Sequence, residues 1–286
     1  MKFLWDQYEE ISTCRVNTLQ IFITNKCNLR CKGCFARHAM GEDRVDMNVG
    51  EYERAIWSFV EKGGQKINLL GGEPFLHPNL LKFININNYY GLKTTIYTNG
   101  YFLNKYSQEE MQGAKLRVSI YSFFDGDKAI CKLPDTKTKF DANFMVSRTT
   151  TIKDLLRTAE LSEFMYGCNV FFISSLRELD NPRQEFFDDT DLTMPVMEYK
   201  ELVHKFLKLY YGKMEIHVSK RGVFESTHSC GFNKCRFANY FIGGKIIQCP
   251  YNVVNLKYQD DYEFNKKYCQ QNSSCLMTKV IYKRKI

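Results

Sequence analysis

The chain has 286 residues, 44% hydrophobic and 25% charged, and a formal net charge of +8. That length sustains a buried core without disulfide staples and suits one domain with a small appendage, and an odd total of 11 cysteines excludes complete disulfide pairing within the chain. The opening MKFLWDQYEEIS has acids where a signal peptide needs an apolar stretch, and no apolar run approaches the ~18 residues of a membrane span.

In chain order, residues 17–24 form an apolar run rich in β-formers and read as the first strand. Asn48 with Glu51 reads as a capping box. Tyr52, Ile56, Phe59 and Val60 then share one helical face, and Gly63-Gly64 ends the helix. Residues 66–70 read as a buried strand running into Gly71-Gly72, and Pro78 suits the first turn of a helix that continues to about residue 90. Residues 93–98 form a strand ended by Asn99-Gly100. Ser107 and Glu110 are placed to cap a short helix, and residues 116–121 form another strand. A helix near 152–166 leads to a strand over 168–173. Pro195 opens a helix with Val196, Tyr199, Val203, Phe206 and Tyr210 at helical spacing; Gly212 closes it, and 213–218 read as a strand. Segments 122–150 and 175–194 read as long loops, which often cover a site.

This alternation implies a parallel sheet with crossover helices, because parallel strands need long connections. Doubly wound sheets and complete or partial barrels all fit it. From residue 219 helical periodicity fades and Cys, Gly, Asn and Tyr become dense; Phe237 to Ile247 read as a β-hairpin turning at Gly243-Gly244. The expected division is a main domain over 1–218 and a small module over 219–286.

The charge is spread along the chain apart from the final Lys283-Arg284-Lys285. It suits an acidic partner or a phosphate, but no interleaved basic and aromatic stripe marks a nucleic-acid surface. With no export or membrane signal, a cytoplasmic location is expected. Cysteines there read as metal or cluster ligands before disulfides.

Cys27, Cys31 and Cys34, spaced C-x3-C-x2-C, sit immediately after the first strand. Three thiolates in one tight loop can converge on a metal centre, whether zinc with a fourth ligand or an iron–sulfur cubane with one iron left open. In α/β sheets the loop after a strand's C-terminal end is also where ligands bind. The glycines at 71 and 72 allow close backbone approach to a ligand, and Glu73 can accept from an ammonium.

This combination, three cysteines after strand one and Gly71-Gly72-Glu73-Pro74 after strand two, resembles the radical S-adenosylmethionine (SAM) superfamily. The resemblance extends to Thr98-Asn99-Gly100 and to Ser119 on strand four. It implies a partial (β/α)6 TIM-like barrel with SAM and substrate at the strand C-termini. It implies a [4Fe–4S] cluster on Cys27, Cys31 and Cys34, whose open iron chelates SAM. Gly71, Gly72, Glu73, Pro74, Asn99 and Ser119 would meet SAM. Gly33 stands where relatives have a larger residue near the adenine, and Phe35, one place on, compensates. The reaction implied is reductive cleavage of SAM to a 5′-deoxyadenosyl radical that abstracts hydrogen from substrate, fed by an electron donor such as flavodoxin or ferredoxin.

Five cysteines follow residue 229. Cys230-x13-Gly244-x4-Cys249 resembles the start of the cysteine-rich extensions called SPASM and twitch domains, which bind auxiliary [4Fe–4S] clusters. The resemblance implies one auxiliary cluster on Cys235, Cys249, Cys269 and Cys275, with Cys230 as substitute. A structural zinc site is the competing reading.

Cys14, Cys131 and Cys168 remain, and a buried free cysteine mostly behaves as a small hydrophobe. Cys131 in a long loop and Cys168 at the start of strand five are candidate catalytic thiols, since some peptide epimerases of the resembled superfamily deliver a hydrogen atom that way. His38, His77, His204, His217 and His228 match no metal spacing, and Arg37 with His38 follows the cluster loop. The first expected substrate is a peptide or protein. About 20 residues ahead of strand one leave no room for a leader-binding domain, which keeps a small metabolite such as a nucleotide or amino sugar as the alternative. A non-enzymatic iron–sulfur or zinc protein is the third, and it makes no use of Gly71-Gly72-Glu73-Pro74.

Overall fold

Strand β1 (Thr18–Thr24) is buried along its whole length, as expected of a strand covered on both faces. In the computed structural model, which describes residues 17–31, 34, 44–121, 136–175, 194–219, 237–247 and 279–282, β1 lies inside a ten-stranded sheet. The other strands in chain order are β2 (Lys66–Gly71), β3 (Lys93–Thr98), β4 (Lys115–Ile120), β5 (Asp141–Val146), β6 (Val170–Ser175), β7 (Glu215–Ser219), β8 (Phe237–Phe241), β9 (Lys245–Ile247) and β10 (Lys279–Tyr282). Their spatial order is β10-β7-β6-β5-β4-β3-β2-β1-β8-β9.

From β1 to β7 each strand pairs in parallel with its successor. Sequential parallel strands joined by right-handed crossovers place their helices on one face of the sheet. That is barrel winding, and the sheet stays open, ending at β9 and β10. The expected α/β partial barrel is the fold found.

Four helices are described: α1 (Val49–Glu61), α2 (Leu80–Tyr89), α3 (Ile152–Tyr166) and α4 (Val196–Leu209). Asn48 caps α1 by accepting from the Glu51 N–H at 2.8 Å. Thr151 and Asp154 form a full capping box on α3, and Gly167, in the left-handed region, closes it. Tyr52, Ile56 and Phe59 of α1, Phe83 of α2, Leu155 of α3 and Val203 and Phe206 of α4 are fully buried. They share one core with Leu19, Ile67, Ile96, Val118, Phe144, Phe171 and Val218 of the strands.

Three expectations are corrected. The segment 122–150 contains β5, whose burial alternates along Asp141–Val146; its polar members hide the period-2 pattern. Ser107 and Glu110 do exchange capping hydrogen bonds, at 2.8 and 3.1 Å, but around a turn and not a helix. The helix after Pro78 begins only at Leu80, behind a short 3-10 turn over Pro74–Leu76.

The hairpin about Gly243-Gly244 forms, with β8 antiparallel to β9. Strand β8 also pairs in parallel with β1, and β10 pairs antiparallel with β7. The described strands beyond residue 218 therefore extend both edges of the main sheet. Glu51 at the start of α1 accepts from the Gly243 N–H at 2.8 Å and fastens the hairpin turn to the helix layer.

Candidate active site

The carboxyl ends of β1, β2 and β3 meet in one network. The Gly72 N–H donates to the Thr24 carbonyl at 2.7 Å, and the Glu73 N–H to the Lys26 carbonyl at 2.8 Å. A Cβ on Gly71 would strike the Thr24 carbonyl oxygen. One on Gly72 would strike the Lys26 carbonyl and stand 3.0 Å from Cys27 Cβ. Both positions need glycine because two backbones touch there. From the other side, Asp46 accepts from Lys26 Nζ and from Thr24 Oγ1, each at 2.6 Å. Partial burial pushes the Asp46 carboxyl up, but these two donors outweigh it and hold the group below the usual carboxylate range. The stretch that leads into Cys27 is thus fixed on both flanks.

Glu73 is fully buried. Its carboxylate accepts from Thr98 Oγ1 at 2.7 Å, the Asn99 N–H at 2.7 Å and the Phe75 N–H at 3.1 Å. Burial pushes its pKa up to about 6, against the pull of these donors. Pro74, buried at the start of the 3-10 turn, presents the Phe75 N–H to it. Glu73 therefore joins the loop after β2 to the end of β3, and the ammonium expected on it from the sequence would be a further partner. Asn99, oriented by that link, donates to Asn28 Oδ1 at 2.8 Å and stands 4.0 Å from Cys27 Sγ.

Cys27, Cys31 and Cys34 are half-buried reduced thiols. Cys27 Sγ accepts from the Leu29 N–H at 3.4 Å, while burial raises its pKa. Cys34 packs against Phe22, Leu70 and Phe241, and Phe22 stacks on Phe241 of the C-terminal hairpin at 4.4 Å. Among the described residues no three or more His, Cys, Asp or Glu side chains converge closely enough for a single metal ion. A thiol-only donor set on one loop, with N–H groups aimed at a sulfur, fits the ligation of an iron–sulfur cluster.

Ser119 lies half-buried on β4, on the face opposite the helices. Cys168 is not brought to this network. It precedes β6, at the amino ends of the strands, 4% exposed within the main core, and burial pushes its thiol up to about 12. Cys131, Phe35, Arg37, His38 and the auxiliary candidates Cys230, Cys235, Cys249, Cys269 and Cys275 lie outside the described residues. Sequence reasoning missed Asp46, the Phe22–Phe241 stack and the polar row on the inner face of β3 to β7. The alternation along those strands was the signal available for the row.

Residues 21–125 match the profile of the Radical SAM superfamily. A GTP 3′,8-cyclase of Limosilactobacillus fermentum is 32% identical over 130 residues, which is 43% of this chain and 38% of that protein. A GTP 3′,8-cyclase of Campylobacter fetus is 33% identical over 111 residues, 37% of this chain and 34% of that protein. The chain thus aligns with little more than a third of these relatives. Among solved structures, SuiB of Streptococcus suis bound to precursor peptide SuiA superposes with a TM-score of 0.68. At 14% identity it covers 93% of this chain and 67% of its own, a likeness of fold.

Proposed function

We propose that the chain, whose residues 21–125 match the Radical SAM superfamily, is a radical SAM enzyme that cleaves SAM reductively and abstracts a hydrogen atom from a peptide or protein. One observation carries the cofactor part: the Cys27 loop and the Gly71-Gly72-Glu73 segment are hydrogen-bonded into one cradle at the strand carboxyl ends. Cys27, Cys31 and Cys34 would hold a [4Fe–4S] cluster and leave its fourth iron for the amino and carboxylate groups of SAM. When bound, these cofactors supply one electron to the sulfonium and a 5′-deoxyadenosyl radical to the substrate.

The chain's own part is positioning. Asp46 and Thr24 hold Lys26, so that Cys27 leaves β1 in a fixed direction. Gly71 and Gly72 keep the cradle free of side chains. Glu73 orients Asn99, and Asn99 orients Asn28 beside Cys27. Ser119, on the same face, would meet the SAM ribose. An electron donor such as flavodoxin or ferredoxin would reduce the cluster. Residues 219–286 are assigned an auxiliary cluster on Cys235, Cys249, Cys269 and Cys275, with Cys230 in reserve. Among the described residues no helix is long and apolar enough to cross a membrane.

The peptide reading is supported by the fold shared with peptide-bound SuiB over 93% of the chain. A nucleotide substrate is the second reading, favoured by the sequence identity to GTP 3′,8-cyclases. Anaerobically reconstituted protein given SAM and dithionite should form 5′-deoxyadenosine; none at all refutes the reading. Iron analysis tests the second cluster: about eight Fe per chain supports it, whereas about four, or bound zinc, removes it. Acceleration of 5′-deoxyadenosine formation by GTP would favour the nucleotide.

A further inference from the structure

On the inner face, opposite the helices, three strands bring a cation between two aromatic rings. Arg117 of β4 is in register with Tyr97 of β3 and with Asp141 of β5. Its guanidinium carbon lies 3.6 Å from the ring centroid of Phe172 on β6 and 5.0 Å from that of Tyr97. The side chain therefore crosses β5 to reach its platform. Nη1 donates to the Tyr97 hydroxyl. Nε is buried and has no hydrogen-bond partner among the described residues.

Among the described residues no ion pair joins Arg117 to Glu215 or Asp141, although Asp141 feels its charge. Glu215 is engaged by His217, whose ring in turn packs 4.6 Å from Phe172. Asp141 is kept above the usual carboxylate range by burial, in spite of the pull of Arg117, Lys115 and His217. Asn143 on β5, in register with Phe172, accepts from the Ser174 hydroxyl and donates from its amide to Met145 Sδ. A guanidinium stays charged throughout the working pH range, and a buried donor such as this Nε is costly to leave unpaired. Its planar fork matches two oxygens of one carboxylate or phosphate, and stacking on rings fixes the plane in advance.

We propose that Arg117, gripped by Tyr97 and Phe172, is the subsite that receives an oxyanion of the substrate, a carboxylate or a phosphate. It rests on the radical SAM reading, since Arg117 lies two residues before Ser119 on the same face, about 7 Å down the strand.

Equilibrium dialysis of the full-length reconstituted protein, loaded with SAM and without reductant, tests it with two pairs of probes. GTP is set against guanosine, and N-acetylglutamate amide against N-acetylglutamine amide. The anionic member of at least one pair should bind about tenfold more tightly than its neutral twin. The pair that responds tells phosphate from carboxylate. Arg117→Gln should abolish the preference, and Arg117→Lys, which keeps the charge and loses the fork, should reduce it several-fold. Twins that bind alike, or not at all, overturn the proposal, and so does a preference that survives Arg117→Gln. Iron content and unfolding midpoint report whether each variant folded. If Arg117→Gln did not, Arg117→Lys decides, and an unchanged preference in it overturns the proposal. Formation of 5′-deoxyadenosine by the wild type, measured separately with dithionite, distinguishes failure of the subsite from failure of the radical SAM reading.

Discussion

The two faces of strands β3 to β7 are opposites in composition. Toward the helices stand Ile96, Val118, Phe144, Phe171, Ile173 and Val218, all fully buried. One residue along, on the inner face, stand Tyr97, Arg117, Asn143, Ser174 and His217, each half-buried and polar. Because side chains alternate along a strand, one set of backbones serves both purposes, and a slip of one residue would exchange them. The outer face supplies stability through apolar burial. The inner face, with the cradle above it, is left free for chemistry.

Substitutions should separate the two functions. Cys27→Ala, Cys31→Ala or Cys34→Ala should each reduce 5′-deoxyadenosine formation to background and lower the iron content, while far-ultraviolet circular dichroism stays that of the wild type. Normal turnover in any of the three would remove that cysteine from the ligand set. The converse change is Phe171→Ala on the outer face. It should cost about 3–5 kcal/mol in urea unfolding, since a fully buried ring leaves a cavity. Asn143→Ala, on the neighbouring strand and the opposite face, should cost well under half of that. Equal losses would break the distinction between the faces.

The outer face was legible in the sequence and the inner face was not, for a physical reason. Apolar runs such as 66–70 and helical stripes such as Tyr52, Ile56 and Phe59 reflect burial, which local sequence records directly. The cradle was legible through Cys27, Cys31, Cys34 and Gly71-Gly72-Glu73, because close backbone approach and thiolate ligation demand particular residue types. Arg117, Tyr97 and Phe172 come from three strands, and nothing in local sequence says that their side chains meet. Strand β5 escaped notice because Asp141 and Asn143 face inward and break its apolar run. Cys168 looked like a candidate thiol from its place near a strand; the direction of the strand puts it at the other end.

Gly72→Ala acts at the boundary between cradle and sheet. The new methyl meets the Lys26 carbonyl, a backbone atom that cannot rotate away. Overpacking of this kind costs about 1–3 kcal/mol. The loss should fall on the cradle: reconstituted iron should drop and SAM should bind more weakly, both measured anaerobically. A variant with full iron and wild-type SAM affinity would show that the two loops do not touch.

The smallest effect comes from Glu73, a carboxylate buried where cradle and core meet. Its folded pKa of about 6 lies above the ordinary 4.5, because burial outweighs the three donors it accepts from. Between those values the folded chain holds a proton that the unfolded chain has released. Stability must therefore fall as pH rises through that window and stay lower above it, by about 2 kcal/mol. Glu73→Gln has no such proton to lose. Urea unfolding of the cluster-free wild type and of Glu73→Gln from pH 4 to pH 8 should show the wild type losing about 2 kcal/mol more than the variant. A wild type that gains stability relative to Glu73→Gln over the same range would mean that Thr98, Asn99 and Phe75 outweigh burial, and that Glu73 is a charged clasp.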